Sequence, residues 1–268
     1  MHENMIVNKI RYQLVDLSYQ NKVPHLACAL SCVEILYTLY FDTLSISPEY
    51  PDSQTRDRFL LGKGHAVAAL YSTLSQRGFF DPQDVYSLGQ DHSPFEEHPG
   101  LNSPPGVDNI SGSLGHALGL ATGMAKADKI QQGSAHFYAL VGDGELNEGT
   151  NWEAAMFAPA HKLNNLTVIV DFNKLQGTGR SCEIMQLDNL ADKWRAFGWN
   201  TFEVDGHDLQ ELKSVLDNKA IDPDKPRAIV AHTTKGAGVS FMQDDNNWHY
   251  RIPTQEEVAA TAKELGLL

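Results

Sequence analysis

The chain has 268 residues, 42% of them hydrophobic and 21% charged, the composition of a globular protein with a sizeable core rather than a disordered or membrane-embedded one. Lys and Arg total 21 against 34 Asp and Glu, a formal charge of −13, and the basic residues are scattered. Such a balance argues against a nucleic acid or an anionic membrane surface as the main partner.

From the N-terminus, "MHENMIVNKIRYQ" (1–13) lacks the basic-then-apolar layout of a signal peptide, and no apolar run is long enough to span a bilayer. A cytoplasmic protein is expected. Apolar residues at three- and four-residue spacing predict helices over roughly 4–20, 28–40, 65–77 and 113–131. Cys28 and Cys32 fall four apart on one helix face, where a metal or redox pair is conceivable. No further thiolate stands at ligand spacing, so both read as packing thiols, and with Cys182 the odd total excludes complete pairing. Residues 89–112, "GQDHSPFEEHPGLNSPPGVDNISG", form the longest irregular stretch. So long a loop in a compact domain is usually functional or disordered.

After residue 135 the rhythm changes. "HFYALVG", "NLTVIVDF", "WNTFEVDG" and "RAIVAHTT" are short β-branched or aromatic runs, separated in three intervals by helical patterns such as "DLQELKSVLDNKA" (208–220). This alternation predicts a parallel sheet sandwiched by helices, an α/β fold in which the N-terminal helices pack on the same sheet and 1–268 forms one domain. Ligands of such sheets sit beyond the carboxyl ends of the strands. Asp143 ends the first of these runs; Asp171 and Asn173 end the second.

If those strands are neighbours, Asp143, Asn173 and nearby carbonyls present several oxygens to one point, a donor set suited to Mg²⁺. Gly142 and Gly144 remove side-chain bulk where a diphosphate must approach the backbone. A helix opening near 148–150 would add free N–H groups for an anion. The plainer alternative is an ordinary turn with a helix-capping Asp.

"GDGELNEG" (142–149), with 28 residues between Gly144 and Asn173, resembles the thiamine diphosphate motif that begins Gly-Asp-Gly and ends in Asn. "RDRFLLGKGHAVAALYSTL" (56–74), "EEHPG" (96–100), "ISGSLGHALGLATGMA" (110–125), "NKLQGTG" (173–179) and "TTKGAGVSFMQDDNNWHY" (233–250) resemble the N-terminal part of the transketolase family in order and spacing. The resemblance implies the family's thiamine diphosphate-binding fold. It implies Asp143, Asn173 and the Leu175 carbonyl as ligands of Mg²⁺, for which Ca²⁺ or Mn²⁺ could stand in. It implies His65 and His249 on the diphosphate beside Gly142 and Gly144, and Gly112 and Leu114 under the aminopyrimidine. His25, His65 and His98 would hydrogen-bond the reacting sugar, and Glu148 would join an acidic network across the subunit interface; a first-turn Glu stabilising its helix is the bland reading of Glu148. His116, where the family usually has Gln, is expected to alter the pocket floor. His161 reads as structural, and Tyr250 stands where a small residue is commoner.

In the family the glutamate that protonates the cofactor's pyrimidine, and the arginines that hold a sugar phosphate, belong to a second α/β domain. None follows Leu268, so the resemblance implies a separately encoded C-terminal partner in an α2β2 assembly. The implied activity is transfer of a two-carbon ketol unit from a ketose to an aldose, on sugar or sugar-phosphate substrates. Two other readings remain open: a sibling thiamine enzyme, deoxyxylulose-phosphate synthase-like or 2-oxo acid decarboxylating, and a non-catalytic cofactor-binding scaffold.

Overall fold

The apolar runs of the second half lack strict alternation because both faces of their strands are covered. In the computed structural model, which describes residues 2–217 and 222–268, every residue of β2 (Phe137–Gly142) is buried, and β3 (Leu166–Phe172) is buried up to its last residue. With β1 (Arg58–Leu61), β4 (Asn200–Asp205) and β5 (Arg227–His232) they form a five-stranded, wholly parallel sheet in the order β1-β2-β3-β5-β4.

Successive side chains divide between two layers. Leu60, Ala139, Val141, Val168, Val170, Ala228 and Val230 share a core with α5 (Ala117–Ile130), α6 (Gly149–Ala160) and α8 (Leu190–Ala196). Phe59, Leu61, Tyr138, Leu140, Ile169 and Ile229 share the other with α1 (His2–Asn21), α2 (Leu26–Leu30), α3 (Val33–Thr38), α4 (Val67–Arg77), α9 (Leu209–Asp217) and α10 (Gln255–Glu264). A one-turn helix, α7 (Ser181–Ile184), closes the loop after β3. No described helix is long and apolar enough to cross a membrane.

The four strands read from the sequence are present; β1 was not expected. The single helix expected over 28–40 is instead broken: His25 adopts a left-handed backbone (φ 66°), α2 ends at Leu30, and α3 starts at Val33 and runs into a π turn over Leu39–Thr43. The break turns the Ser31 hydroxyl onto the Asp171 carboxylate at 2.6 Å. The helix expected from 113 begins at Ala117, after a loop in which Gly112 and Gly115 hold positive φ. The 208–220 pattern is helical over Leu209–Asp217, and its last three residues lie outside the described ones.

Asp171 and Lys63 form an ion pair with 0% and 2% side-chain exposure. The Asp171 carboxylate also accepts from Ser31 and Thr233, while the Lys63 ammonium donates to the Cys28 carbonyl at 2.8 Å. Burial alone would raise the pKa of Asp171, but the adjacent ammonium and these donors outweigh it and hold the pKa below the usual range. One contact thus ties β3 to the turn after β1, to the α2–α3 break and to the loop after β5. Removing one partner strands a buried charge, so Lys63→Met is expected to cost about 3–5 kcal/mol of stability, and Lys63→Met/Asp171→Leu to recover most of it. Urea unfolding of the three proteins measures this; a single-variant loss below about 1 kcal/mol contradicts the role.

Candidate active site

Parallel pairing puts Gly142 opposite Asp171, so β2 and β3 leave the sheet at the same level. Asp143 and Asn173, the first residues to turn away, both enter a cavity of ≈ 340 Å³ beyond the strand tips. Asp143 is 2% exposed and Asn173 5%. The Asp143 carboxylate accepts from the Gly144 N–H at 2.9 Å and the Ser181 hydroxyl at 2.7 Å. Burial, with Asp171 nearby, raises its pKa to about 6. The Asn173 side-chain oxygen accepts from the Leu175 N–H at 3.1 Å, which folds the loop so that Leu175 also lines the cavity.

Of the residues expected at a site, His25, His65, His98, Gly112, Leu114, Gly142, Asp143, Gly144, Asn173, Leu175 and His249 all line this one cavity. Four histidines from distant segments meet there: the His25 ring centroid lies 5.3 Å from His65, 6.5 Å from His98 and 4.8 Å from His249. The loop expected to be functional, 89–112, contributes His98 and Gly112. Burial and the Lys63 charge depress the His65 pKa well below normal. Burial, then His98 and Lys235, lower that of His25, and burial with Lys235 brings His249 to about 4. These three rings are therefore neutral at pH 7.

Glu148, expected in a network at the subunit interface, is exposed at the N-cap position of α6, makes no side-chain capping hydrogen bond and lies outside the cavity lining. Two other expectations fail in part. The opening of α6 lies outside the cavity lining, because a 3₁₀ turn over Gly144–Asn147 intervenes. His116 is exposed and faces a separate apolar hollow between α5 and α6 with Leu120 and Phe157, so it does not form the pocket floor. His161 ends α6 on the surface. Tyr250 stands beside the mouth, its ring centroid 5.5 Å from His25 and 4.6 Å from His249.

Several lining residues were not anticipated: Cys28, Lys63, Glu145, Gln176 and Gly177. Glu145, 2% exposed, accepts from the Gly115 N–H at 2.9 Å and the Gly142 N–H at 3.1 Å, tying the 112–115 loop to the tip of β2. Burial raises its pKa to about 7. A Cβ on Gly62 would lie 2.5 Å from this carboxylate, so any other residue there would displace the Glu145 side chain. Behind the wall, Lys235 is 0% exposed and donates to Asn246 at 2.7 Å and to Nδ1 of His249 at 3.0 Å; among the described residues no carboxylate pairs with it. With Nδ1 accepting, the neutral His249 ring carries its proton on Nε2 and can donate it to a ligand. The signal available in sequence was a lysine between or before glycines just past a strand, in "GKGH" and "TTKGAG". Cys28 and Cys32 are buried free thiols; Cys28 Sγ lies 3.3 Å from His249 Nδ1.

Among the described residues no three His, Cys, Asp or Glu side chains gather as metal ligands. The donors at the strand tips are instead a carboxylate, an amide oxygen and a backbone carbonyl, the mixture suited to Mg²⁺ with positions left for phosphate and water. A buried unpaired ammonium, glycine backbone without side-chain cover, and two buried cavity atoms lacking partners, His25 Nδ1 and Gln176 Nε2, fit an anionic, hydrogen-bonding ligand. A parallel α/β sheet with Gly-Asp-Gly and Asn on adjacent strand tips around such a cavity defines a thiamine diphosphate-binding protein.

The family model described as "Transketolase, thiamine diphosphate binding domain" matches residues 2–268. The chain belongs to that family. It is 38% identical over 257 residues to one of the subunits of the apulose-4-phosphate transketolase of Phocaeicola vulgatus, covering 96% of this chain and 91% of that one. It is 37% identical over 264 residues to the 6-deoxy-6-sulfo-D-fructose transketolase subunit SqwG of a Clostridium species, covering 98% and 95%. Its fold superposes on the transketolase of Campylobacter jejuni with a TM-score of 0.91 at 28% identity, covering 99% of this chain and 43% of that one. It thus spans less than half of the solved transketolase, but nearly all of the subunit relatives.

The depressed pKa of His249 has a sign that can be tested. The unfolded imidazole, titrating near 6.5, binds its proton first, so the contribution to stability is full above about 6.5 and is lost as the pH falls towards about 4. His249→Gln should therefore be less acid-sensitive: the gap in urea midpoints moves in the variant's favour from pH 7.5 to 5.0. A constant gap, or one moving the other way, contradicts a neutral His249.

Proposed function

We propose that this chain is the N-terminal, cofactor-binding subunit of a split transketolase, which with a second subunit transfers a two-carbon ketol unit from a ketose donor to an aldose acceptor. The observation carrying this reading is that Asp143, Asn173 and Leu175 share one cavity with three neutral imidazoles and an adjoining unpaired Lys235. The near-equal length of relatives named as transketolase subunits supports the split. Residues 1–268 act as one cofactor-binding unit.

Asp143, Asn173 and the Leu175 carbonyl hold Mg²⁺, with Ca²⁺ or Mn²⁺ as substitutes. Gly142, Gly144, His65 and His249 hold the diphosphate, and Gly112 and Leu114 support the aminopyrimidine. When bound, thiamine diphosphate supplies the nucleophilic carbon and the electron sink for carbon–carbon cleavage. The chain's own residues position and protonate. His25, His65 and His98 offer ring nitrogens to the sugar hydroxyls and to the oxygen on which charge develops. Kept neutral by burial, His25 and His65 can each accept a proton at one nitrogen while donating from the other.

The cavity lies beyond the strand tips, and the partner subunit closes it, bringing the remaining catalytic groups in an α2β2 assembly. In that assembly Glu148, exposed in the single chain, joins an acidic network with the partner's carboxylates. The substrates are sugars or sugar phosphates and the setting is cytoplasmic. Asp143→Ala in the reconstituted enzyme should lower ketol transfer by at least about 100-fold, because the diphosphate loses its anchor, and should abolish Mg²⁺-dependent cofactor binding in calorimetry. Wild-type activity in that variant would make the chain a scaffold. Pyruvate turnover without ketol transfer would reassign it to a sibling thiamine enzyme.

A further inference from the structure

Gln176 follows the Leu175 carbonyl in the loop after β3 and lines the cavity. Its backbone is pinned by its N–H donating to the Gly179 carbonyl at 2.8 Å. Its side chain lies against Gly144: a Cβ there would come within 3.1 Å of Gln176 Cγ. The second glycine of Gly-Asp-Gly therefore makes room for this side chain as well as for a ligand. Gln176 Oε1 accepts from Nδ2 of Asn147 at 3.0 Å, joining the two loops that carry Asp143 and Asn173.

Two facing carboxamides that share one hydrogen bond leave one N–H₂ group and one oxygen wholly unused between them. Among the described residues Gln176 Nε2 and Asn147 Oδ1 are both buried without a partner. A buried N–H₂ left without an acceptor is costly, and groups in this condition mark places where a ligand or ordered water completes the set. Reversing both amides would turn the Gln176 oxygen towards the cavity, where it would oppose an anion. An anionic ligand selects the orientation with the donor inward.

We propose that Gln176 Nε2 donates a hydrogen bond to a diphosphate oxygen of the bound cofactor, and that Asn147 is a positioning residue fixing the amide's orientation. This rests on the cofactor reading given under Proposed function. The bond is charge-assisted and made in a site shielded from water, so it is among the stronger kind. It also couples diphosphate binding to the distance between the two metal-bearing loops.

Calorimetric titration of the chain assembled with its partner subunit tests this, with two probes: thiamine diphosphate at saturating Mg²⁺, and Mn²⁺ alone. Gln176→Leu is expected to raise the Kd for thiamine diphosphate about tenfold while leaving the Mn²⁺ Kd and the ligand-free melting temperature unchanged. Asn147→Ala should give a smaller rise. Gln176→Glu, which keeps the shape but presents a carboxylate, should weaken cofactor binding more than Leu does, and it carries the test should the Leu variant fail to fold. A cofactor Kd within twofold of wild type in Gln176→Leu and Gln176→Glu overturns the proposal while leaving the proposed function standing. Equal weakening of Mn²⁺ alone also overturns it, because the amide would then serve a metal-bound water. Wild type that binds no thiamine diphosphate overturns both.

Discussion

The site depends on a register. Because β2 and β3 pair in parallel with Gly142 opposite Asp171, the two strands end within one residue of each other; a slip of one residue would turn one strand's buried set to the wrong layer and carry its tip away from the shared cavity. The register is fixed from two directions. Within the sheet, both strands are buried on both faces; beneath the tips, Asp171 is held by Lys63, Ser31 and Thr233, which come from three other segments. The residue that anchors the fold thus lies two positions from the residue proposed to hold the metal.

The electrostatics divide accordingly. Lys63 is spent on Asp171, so its charge is internal, whereas Lys235 donates to the neutral Asn246 and His249 side chains with the Asp143 carboxylate nearby. The same cations, with burial, keep His65 and His249 uncharged. A neutral imidazole both accepts and donates, which a ring permanently protonated could not do.

The sheet's central strands were legible because their apolar runs are long and β-branched, and Asp143 and Asn173 because they stand just past them. β1 escaped because Arg58–Leu61 is too short to show a period. The break in the 28–40 helix escaped because its apolar spacing continues unbroken through Ser31 and Cys32, and the cause of the break is a tertiary partner, Asp171. Lysines are rarely buried, so nothing but their flanking glycines pointed to Lys63 or Lys235. Glu145 carries no signal of its own beside Asp143, because the close approach of its carboxylate to Gly62 is a tertiary contact. His116 misled because its closeness to Leu114 along the chain does not reveal that the helix start turns it outward.

Under the proposed function the cavity and its histidines form half of an active site, which the partner subunit completes. The claim on which everything proposed here depends is that one divalent ion bridges the two strand tips to a diphosphate. Crystals of the assembled subunits grown with thiamine diphosphate and Mn²⁺, with data collected at the manganese absorption edge, test it most directly. A single anomalous peak at bonding distance from the Asp143 carboxylate, the Asn173 amide oxygen and the Leu175 carbonyl, continuous with diphosphate density, is the predicted result. Ordered cofactor with the peak elsewhere, or with no peak between these residues, would contradict it.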